Sequence, residues 1–194
     1  MEGFLMTRRQ VLVLALVVEA GMGAVAIGLG VWFGLPVLEW GHGNLAGLGW
    51  GMAGALVLLG ILMLCQCYPV GAIGRLMHFV EVTVKPLFRD CRVSDLLLVS
   101  ILAGVGEELL FRGLVQVGLE GWLGKWGALG VASVVFGLAH CMTREYVVFA
   151  AGLGLLLGLL AIATGNLLAP IIAHAGYDFL ALLMLTKESR KGGF

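Results

Sequence analysis

The sequence predicts an all-α fold: a single domain, residues 1–194, forming a polytopic membrane helix bundle of about six transmembrane helices. Two observations support this fold class. Of the 194 residues, 60% are hydrophobic and 12% are charged, and the mean hydropathy is +1.03. Soluble domains, in contrast, carry about 25% charged residues. The apolar residues also fall into runs of roughly twenty, which is the length that crosses a bilayer as a helix.

Each expected span is an apolar run between polar boundaries. The first run follows Arg8 and Arg9, and the last two are separated by Thr164-Gly165-Asn166. Gly154 and Gly158 have the four-residue spacing that lets membrane helices approach closely. The spans are expected at residues 11–33, 45–67, 94–117, 125–142, 146–163 and 167–185.

The connections also carry structural signals. Residues 68–92 form the longest polar stretch and place apolar residues at helical spacing, which predicts an amphipathic helix at the membrane surface. Ser94 and Asp95 then predict the N-cap and first turn of the third span. Trp40 and Trp50 flank the start of the second span and suit a membrane–water interface.

Lysine and arginine are distributed unevenly between the two ends of these spans. With the N-terminus in the cytoplasm, only Lys125 lies on the far side and Arg112 lies within a span. The positive-inside rule therefore predicts a multi-pass protein of the plasma (cytoplasmic) membrane with both termini in the cytoplasm. The cytoplasmic basic residues would be Arg8, Arg9, Arg75, Lys85, Arg89, Arg92, Arg144, Lys187, Arg190 and Lys191.

Three charged residues interrupt the third span. In hydrocarbon each charge costs roughly 2.5–3.5 kcal/mol even on a lenient insertion scale. Glu108 and Arg112 are four residues apart on one helical face, so they can pair. Glu107 points about 100° away and has no cation nearby in the sequence. An intramembrane carboxylate without a local partner predicts a functional site.

The later spans add further acid–base groups. His140 follows Phe136 by four residues, and His174 precedes Asp178 by four, so each pair shares a helical face. These side chains and Glu107 can therefore converge inside the bundle. Either the glutamate acts as a general base on water, or glutamate and histidine ligate a metal that activates water. Glu19, the one charged residue within the first expected span, is placed outside this cluster.

If the helices are straight and untilted, the residues of this cluster lie at different depths in the membrane. At about 1.5 Å per residue, Glu107 lies roughly 20 Å from the cytoplasmic start of its span, and His174 lies roughly 12 Å from the opposite end of its own. His140, four residues before Arg144, would be only about 6 Å from the cytoplasmic face. A tilted span, or a snorkelling Arg144 at the end of a longer helix, would reconcile these depths.

The order Glu107-Glu108-x-x-x-Arg112, Phe136-x-x-x-His140 and His174-x-x-x-Asp178 resembles the three-motif pattern of the CAAX-protease and bacteriocin-processing (CPBP, or Abi) family, related to Rce1-type prenyl-protein proteases. The resemblance covers residues 94–185, expected to be a CPBP-like catalytic core. It implies peptide-bond hydrolysis within the membrane.

By this resemblance, Glu107 and His140 would activate water, and His174 and Asp178 would stabilise the oxyanion. Glu108 and Arg112 would hold the first motif, and Phe136 would pack beside the site. We expect a glutamic-type protease without a cofactor, and a zinc-dependent mechanism stays open.

Asp178 departs from the family pattern, which commonly has asparagine there. An ionised aspartate cannot donate a hydrogen bond to an oxyanion. Asp178 would therefore be protonated, orient His174, or favour a metal.

The expected partners are the lipid bilayer and a membrane-associated peptide or protein. The substrate would be a prenylated C-terminus, a leader peptide or a C-terminal sorting helix, and the short chain suggests a prokaryotic processing enzyme. Twelve basic residues balance twelve acidic residues, so no nucleic-acid partner is indicated, and nothing bears on self-association. The alternatives are a non-catalytic membrane scaffold and a proton-coupled transporter.

Overall fold

The computed structural model describes residues 6–37 and 45–191, with side chains described as far as Lys187. All regular structure within these ranges is helical, which confirms the predicted fold class. Trp40, predicted to flank the membrane interface, lies outside the described residues. The helices are α1 (Arg8–Phe33), α2 (Leu45–Cys67), α3 (Gly71–Phe79), α4 (Lys85–Leu87), α5 (Val93–Glu108), α6 (Val117–Ala139), α7 (Arg144–Thr164) and α8 (Leu168–Lys191), with π-helical segments at Val80–Val84 and Leu109–Gln116.

Four helices in the described ranges are long and apolar enough to cross a membrane: α1, α2, α7 and α8 up to Lys187. Their most apolar windows are only 17% to 39% buried inside the protein, so most of this apolar surface faces outward, as lipid contact requires. The other two predicted spans correspond to α5 with the π-segment that continues it, and to α6. The first of these carries Glu107, Glu108 and Arg112. Whether these two helices also cross the membrane, which would give six spans, stays a prediction.

The start of α5 differs from the sequence prediction. The N-cap is Arg92 rather than Ser94, because the carboxylate of Asp95 accepts the Arg92 backbone N–H at 2.7 Å and so fixes the turn two residues earlier. The Asp95 carboxylate also accepts two hydrogen bonds from Arg8, at 2.5 and 2.7 Å. This bidentate pair ties the start of α1 to the start of α5.

The boundary between the third and fourth predicted spans is a single residue. The chain stays helical from α5 through α6 except at Gly124, whose φ of 67° and ψ of 168° break the rod. Only glycine adopts this conformation without strain. Trp122 and Trp126 flank the break and are 88% and 68% exposed, which suits an aromatic belt at a membrane surface.

Helix α8 lies at the centre of the bundle and packs against α2, α5 and α7, while α1 packs on α5 and α6 packs on α7. Small residues permit these contacts. A Cβ at Gly51 of α2 would lie 2.8 Å from the Ala169 carbonyl oxygen, and a Cβ at Gly104 of α5 would lie 2.8 Å from the Cβ of Ala175. The close-approach role predicted for Gly154 is also found, because its Cα faces the Phe136 side chain.

The predicted amphipathic helix is present as α3, the π-segment after it and α4. Leu76 is buried on the inner face, whereas Arg75 and His78 are exposed on the outer face. Arg75 donates a hydrogen bond to Glu145 at 2.6 Å, which joins this segment to the first turn of α7. The segment therefore covers one end of the bundle.

Candidate active site

Glu107 and Glu108 end α5 and point to different partners. Glu108 is fully buried, and its Oε1 accepts hydrogen bonds from Arg112 Nη1 and His174 Nδ1, each at 2.8 Å. Arg112 also donates from Nη2 to the Gly154 carbonyl at 2.8 Å. We call Glu108, Arg112 and His174 the clamp, because together they join α5, α7 and α8.

Phe136 packs on the clamp. The Arg112 guanidinium carbon lies 4.4 Å from the centre of the Phe136 ring, and the His174 ring centre lies 5.9 Å away. A buried cation over an aromatic face is stabilised by the ring quadrupole. Arg112 reaches this position from the π-segment that follows Glu108, where the wider helical turn alters the direction of its side chains.

The second glutamate faces His140, and we call Glu107 and His140 the open pair. Glu107 is buried, but its Oε2 has no hydrogen-bond partner. His140 Nε2 lies 3.7 Å from this oxygen, beyond direct hydrogen-bond range. His140 Nδ1 lies 2.9 Å from the Phe136 carbonyl oxygen, and a carbonyl only accepts, so Nδ1 carries a proton and Nε2 faces Glu107.

His174 lies between two carboxylates. Its Nδ1 contacts Glu108, and its Nε2 lies 3.5 Å from Asp178 Oδ2. Asp178 is less buried than the clamp, with a side chain 29% exposed. The seven residues singled out from the three sequence motifs therefore lie at one site, with Asp178 beside His174.

The predicted depth conflict is removed by the structure. His140 is the C-cap residue of α6 rather than part of a span that continues to residue 142, yet its ring reaches Glu107. Untilted helices would separate the two residues by roughly 14 Å along the bundle axis. The end of α6 and the α5 rod meet instead, which agrees with the alternative of a tilted span. The alternative of a longer helix that ends at Arg144 is wrong, because α6 ends at Ala139.

A cavity opens between the open pair and Asp178, and the amphipathic segment supplies part of its wall through Leu76, Val80 and Val84. The sequence argument placed Glu19, from α1, outside the cluster, but Glu19 lines this cavity. A signal was present, since Glu19 extends the spacing of the buried α1 residues Gly23, Ala26 and Gly30 onto the same helical face. Tyr146 and Tyr177 also line the cavity and were missed.

The donor groups do not form a metal-binding set. Within residues 6–37 and 45–187, no three His, Cys, Asp or Glu side chains are grouped closely enough to hold a metal ion. His174 Nδ1 is hydrogen-bonded to Glu108, and its Nε2 lies 3.5 Å from Asp178. A zinc site needs three or four protein ligands.

In a comparison with protein families, residues 91–180 match the family described as type II CAAX prenyl endopeptidase Rce1-like. This segment of the chain is therefore similar to the Rce1-like family. The matched residues run from Cys91, just before α5, to Leu180 in α8, and include the open pair, the clamp and Asp178. No curated protein and no solved structure shows significant similarity to the chain.

The similarity of this segment supports a CAAX-type intramembrane endopeptidase in general terms. The matched segment excludes α1 and α2, so Glu19 comes from outside it. The Rce1-like core thus supplies the three motifs, and α1 adds a carboxylate to the same cavity.

Proposed function

We propose that this protein is a metal-free intramembrane endopeptidase in which Glu107 and His140 activate the attacking water. One observation carries the proposal: the buried Glu107 Oε2 has no hydrogen-bond partner and faces His140 Nε2 at 3.7 Å beside a cavity. A buried polar atom without a partner costs about 1–3 kcal/mol, so its retention favours a functional role.

A water molecule can lie within hydrogen-bond distance of both members of the open pair. Glu107 accepts one of its protons, and the unprotonated His140 Nε2 accepts a hydrogen bond from the other. The Phe136 carbonyl holds the His140 ring in the orientation this requires. The water oxygen is then directed at a substrate carbonyl carbon in the cavity, and Glu107 takes the proton as the bond forms.

His174 stabilises the oxyanion in this scheme. Glu108 fixes its Nδ1–H, and as an imidazolium it donates from Nε2 to the developing charge. Asp178, 3.5 Å from Nε2, offsets the imidazolium charge and orients the ring. This assigns Asp178 a positioning role and Glu108 a role in the clamp rather than in proton transfer.

The proposed setting is the plasma membrane, with both termini in the cytoplasm. The Arg8–Asp95 and Arg75–Glu145 pairs lie at the starts of α1, α5 and α7, where the positive-inside rule expects the cytoplasmic ends. The substrate is a membrane-associated peptide or protein cut near the membrane: a CAAX-type C-terminus, a leader peptide or a sorting helix.

The test compares protein termini in cells that carry the intact protein or Glu107→Ala at matched abundance. We expect specific new termini that disappear in the variant. The control is Ser100→Ala, which removes a buried hydroxyl without a hydrogen-bond partner on the same helix and outside the cavity. Identical termini in intact and Glu107→Ala cells, with a phenotype on deletion, would favour the scaffold or transporter alternative.

A further inference from the structure

We propose that Glu19 is a third catalytic carboxylate, the general acid that protonates the leaving amine. This rests on the proposed function, in which Glu107 is the base. Glu19 lies on α1, outside the Rce1-like segment, and lines the same cavity as Glu107, His140, His174 and Asp178.

The backbone contact between α1 and α5 brings Glu19 to the level of Glu107. Gly106, which directly precedes Glu107, lies so close to the Glu19 carbonyl that a Cβ at Gly106 would clash with it. Gly23, one turn further along α1, also faces Gly106. Two helices in such contact have little freedom to slide, so the position of Glu19 relative to Glu107 is fixed by the fold.

The Glu19 carboxyl group is directed inward and lacks a partner. Its Oε2 is buried and has no hydrogen-bond partner, as is also true of Glu107 Oε2. The two residues before it face outward: Val17 and Val18 are 65% and 43% exposed in the region that lipid would cover. A carboxyl group that turns into the bundle from such a surface needs a polar function there.

The carboxylates at the site differ in whether a histidine or arginine lies beside them. The other titratable groups that line the cavity are Glu107 on α5, His140 at the end of α6, Tyr146 on α7, and His174, Tyr177 and Asp178 on α8. None of the described residues lining the cavity is a lysine or arginine.

The two imidazoles already have carboxylate neighbours. His174 has Glu108 and Asp178, and His140 has Glu107. The Arg112 charge belongs to the clamp with Glu108. Among the described residues, no histidine, lysine or arginine nitrogen lies within 4 Å of the Glu19 carboxyl group, in contrast to Glu107, Glu108 and Asp178. Burial in an apolar wall without such a neighbour favours the neutral, protonated form of a carboxyl group. A protonated carboxyl is a hydrogen-bond donor, whereas Glu107 must be ionised to act as the base.

The proton transfers then balance over one turnover. Glu107 takes a proton from water as the water oxygen bonds to the carbonyl carbon. When the C–N bond breaks, its electron pair stays on nitrogen, which takes the proton from Glu19. Glu107 is then protonated and Glu19 ionised, and transfer of one proton from Glu107 to Glu19 across the cavity restores both groups.

The experiment uses the purified full chain and a peptide that spans a cleavage site found in the terminus comparison, with a second probe in which a thioester replaces the scissile amide. A thiolate leaves without a proton, so it does not need the acid. We expect Glu19→Gln to lower kcat on the amide by about 10²–10⁴-fold, and to change kcat on the thioester by less than tenfold. Glu107→Gln should lower both.

Glu19→Asp keeps an acid and serves as the conservative variant. It should retain more amide cleavage than Glu19→Gln, and it carries the test on its own if Glu19→Gln does not accumulate. Equal losses on amide and thioester would indicate a structural role for Glu19 and overturn the proposal, as would wild-type amide cleavage by Glu19→Gln. If Glu107→Ala leaves cellular termini unchanged, the proposed function fails first and separately, and the role of Glu19 fails with it.

Discussion

The open pair and the clamp begin at adjacent residues of α5 and differ in their bonding. Glu108 accepts two hydrogen bonds at 2.8 Å and is joined by them to an arginine and an imidazole. Glu107 is almost as deeply buried, but the histidine nitrogen beside it, His140 Nε2, lies 3.7 Å away. Each carboxylate has a buried Oε2 without a hydrogen-bond partner, but only Glu107 lines the cavity, whereas Glu108 is held through its Oε1.

The difference in bonding between Glu107 and Glu108 suggests how a membrane bundle can hold a reactive carboxylate. Burying a charge is tolerated when a partner of opposite charge and further hydrogen bonds accompany it. The clamp meets that condition and so can fix the end of α5 in place. The open pair lies on that fixed end and keeps its unsatisfied oxygen for a substrate or a water molecule. Changes in the two regions should therefore have opposite effects on activity and stability.

The largest expected effect is on activity, at the open pair. Glu107→Gln should lower kcat by about 10²–10⁴-fold, because the amide cannot accept the water proton. The free energy of unfolding should stay the same or rise, since no ion pair at hydrogen-bond distance is lost. Cleavage assays and thermal unfolding in detergent measure the two quantities. A large loss of stability in this variant would contradict the distinction from the clamp.

The next effect is on stability, at the clamp. Arg112→Leu should lower the free energy of unfolding by about 3–5 kcal/mol, because it leaves Glu108 as a buried charge and removes the bond to the Gly154 carbonyl. Denaturation in detergent measures this loss. Arg75→Leu is the control: Arg75 also pairs with a glutamate, but its side chain is 65% exposed, so a much smaller loss is expected. Equal losses would mean that burial does not strengthen the clamp.

A smaller effect tests the contact between the π-segment and α7. Gln116 Nε2 lies 3.5 Å from the Gly158 carbonyl, one turn beyond the Arg112 bond to Gly154. A Cβ at Gly158 would clash with Leu129 and lie 2.7 Å from Gln116 Oε1. Gly158→Ala should therefore lower the free energy of unfolding by about 1–3 kcal/mol. Gly152→Ala, where a Cβ meets nothing within 4 Å, should lower it little or not at all.

The sequence predicted the helical fold and the motif residues because hydropathy and four-residue spacing are local properties of the chain. It could not assign Glu108 its second partner, since His174 is 66 residues away and the contact depends on how α5 packs on α8. Glu19 was missed for the same reason. A lone carboxylate in an apolar run has no local partner to indicate its direction, and only the α1–α5 contact places it in the cavity.

The smallest expected effect is at Asp178, which borders both regions. Asp178→Asn restores the residue that the related motif commonly carries, and its amide can donate a hydrogen bond to an oxyanion although it no longer offsets the His174 charge. These effects oppose each other, so we expect kcat to change by less than about tenfold, or 1.4 kcal/mol in barrier.

Asp178→Ala is the matched comparison, because it removes both the charge and the donor. We expect it to lose more activity than Asp178→Asn at equal abundance, measured as kcat on the same peptide. If the asparagine variant is as inactive as the alanine variant, the negative charge beside His174 is essential and Asp178 belongs with the clamp. If asparagine restores full activity, hydrogen bonding at this position suffices, and the His174 charge is balanced by Glu108 alone.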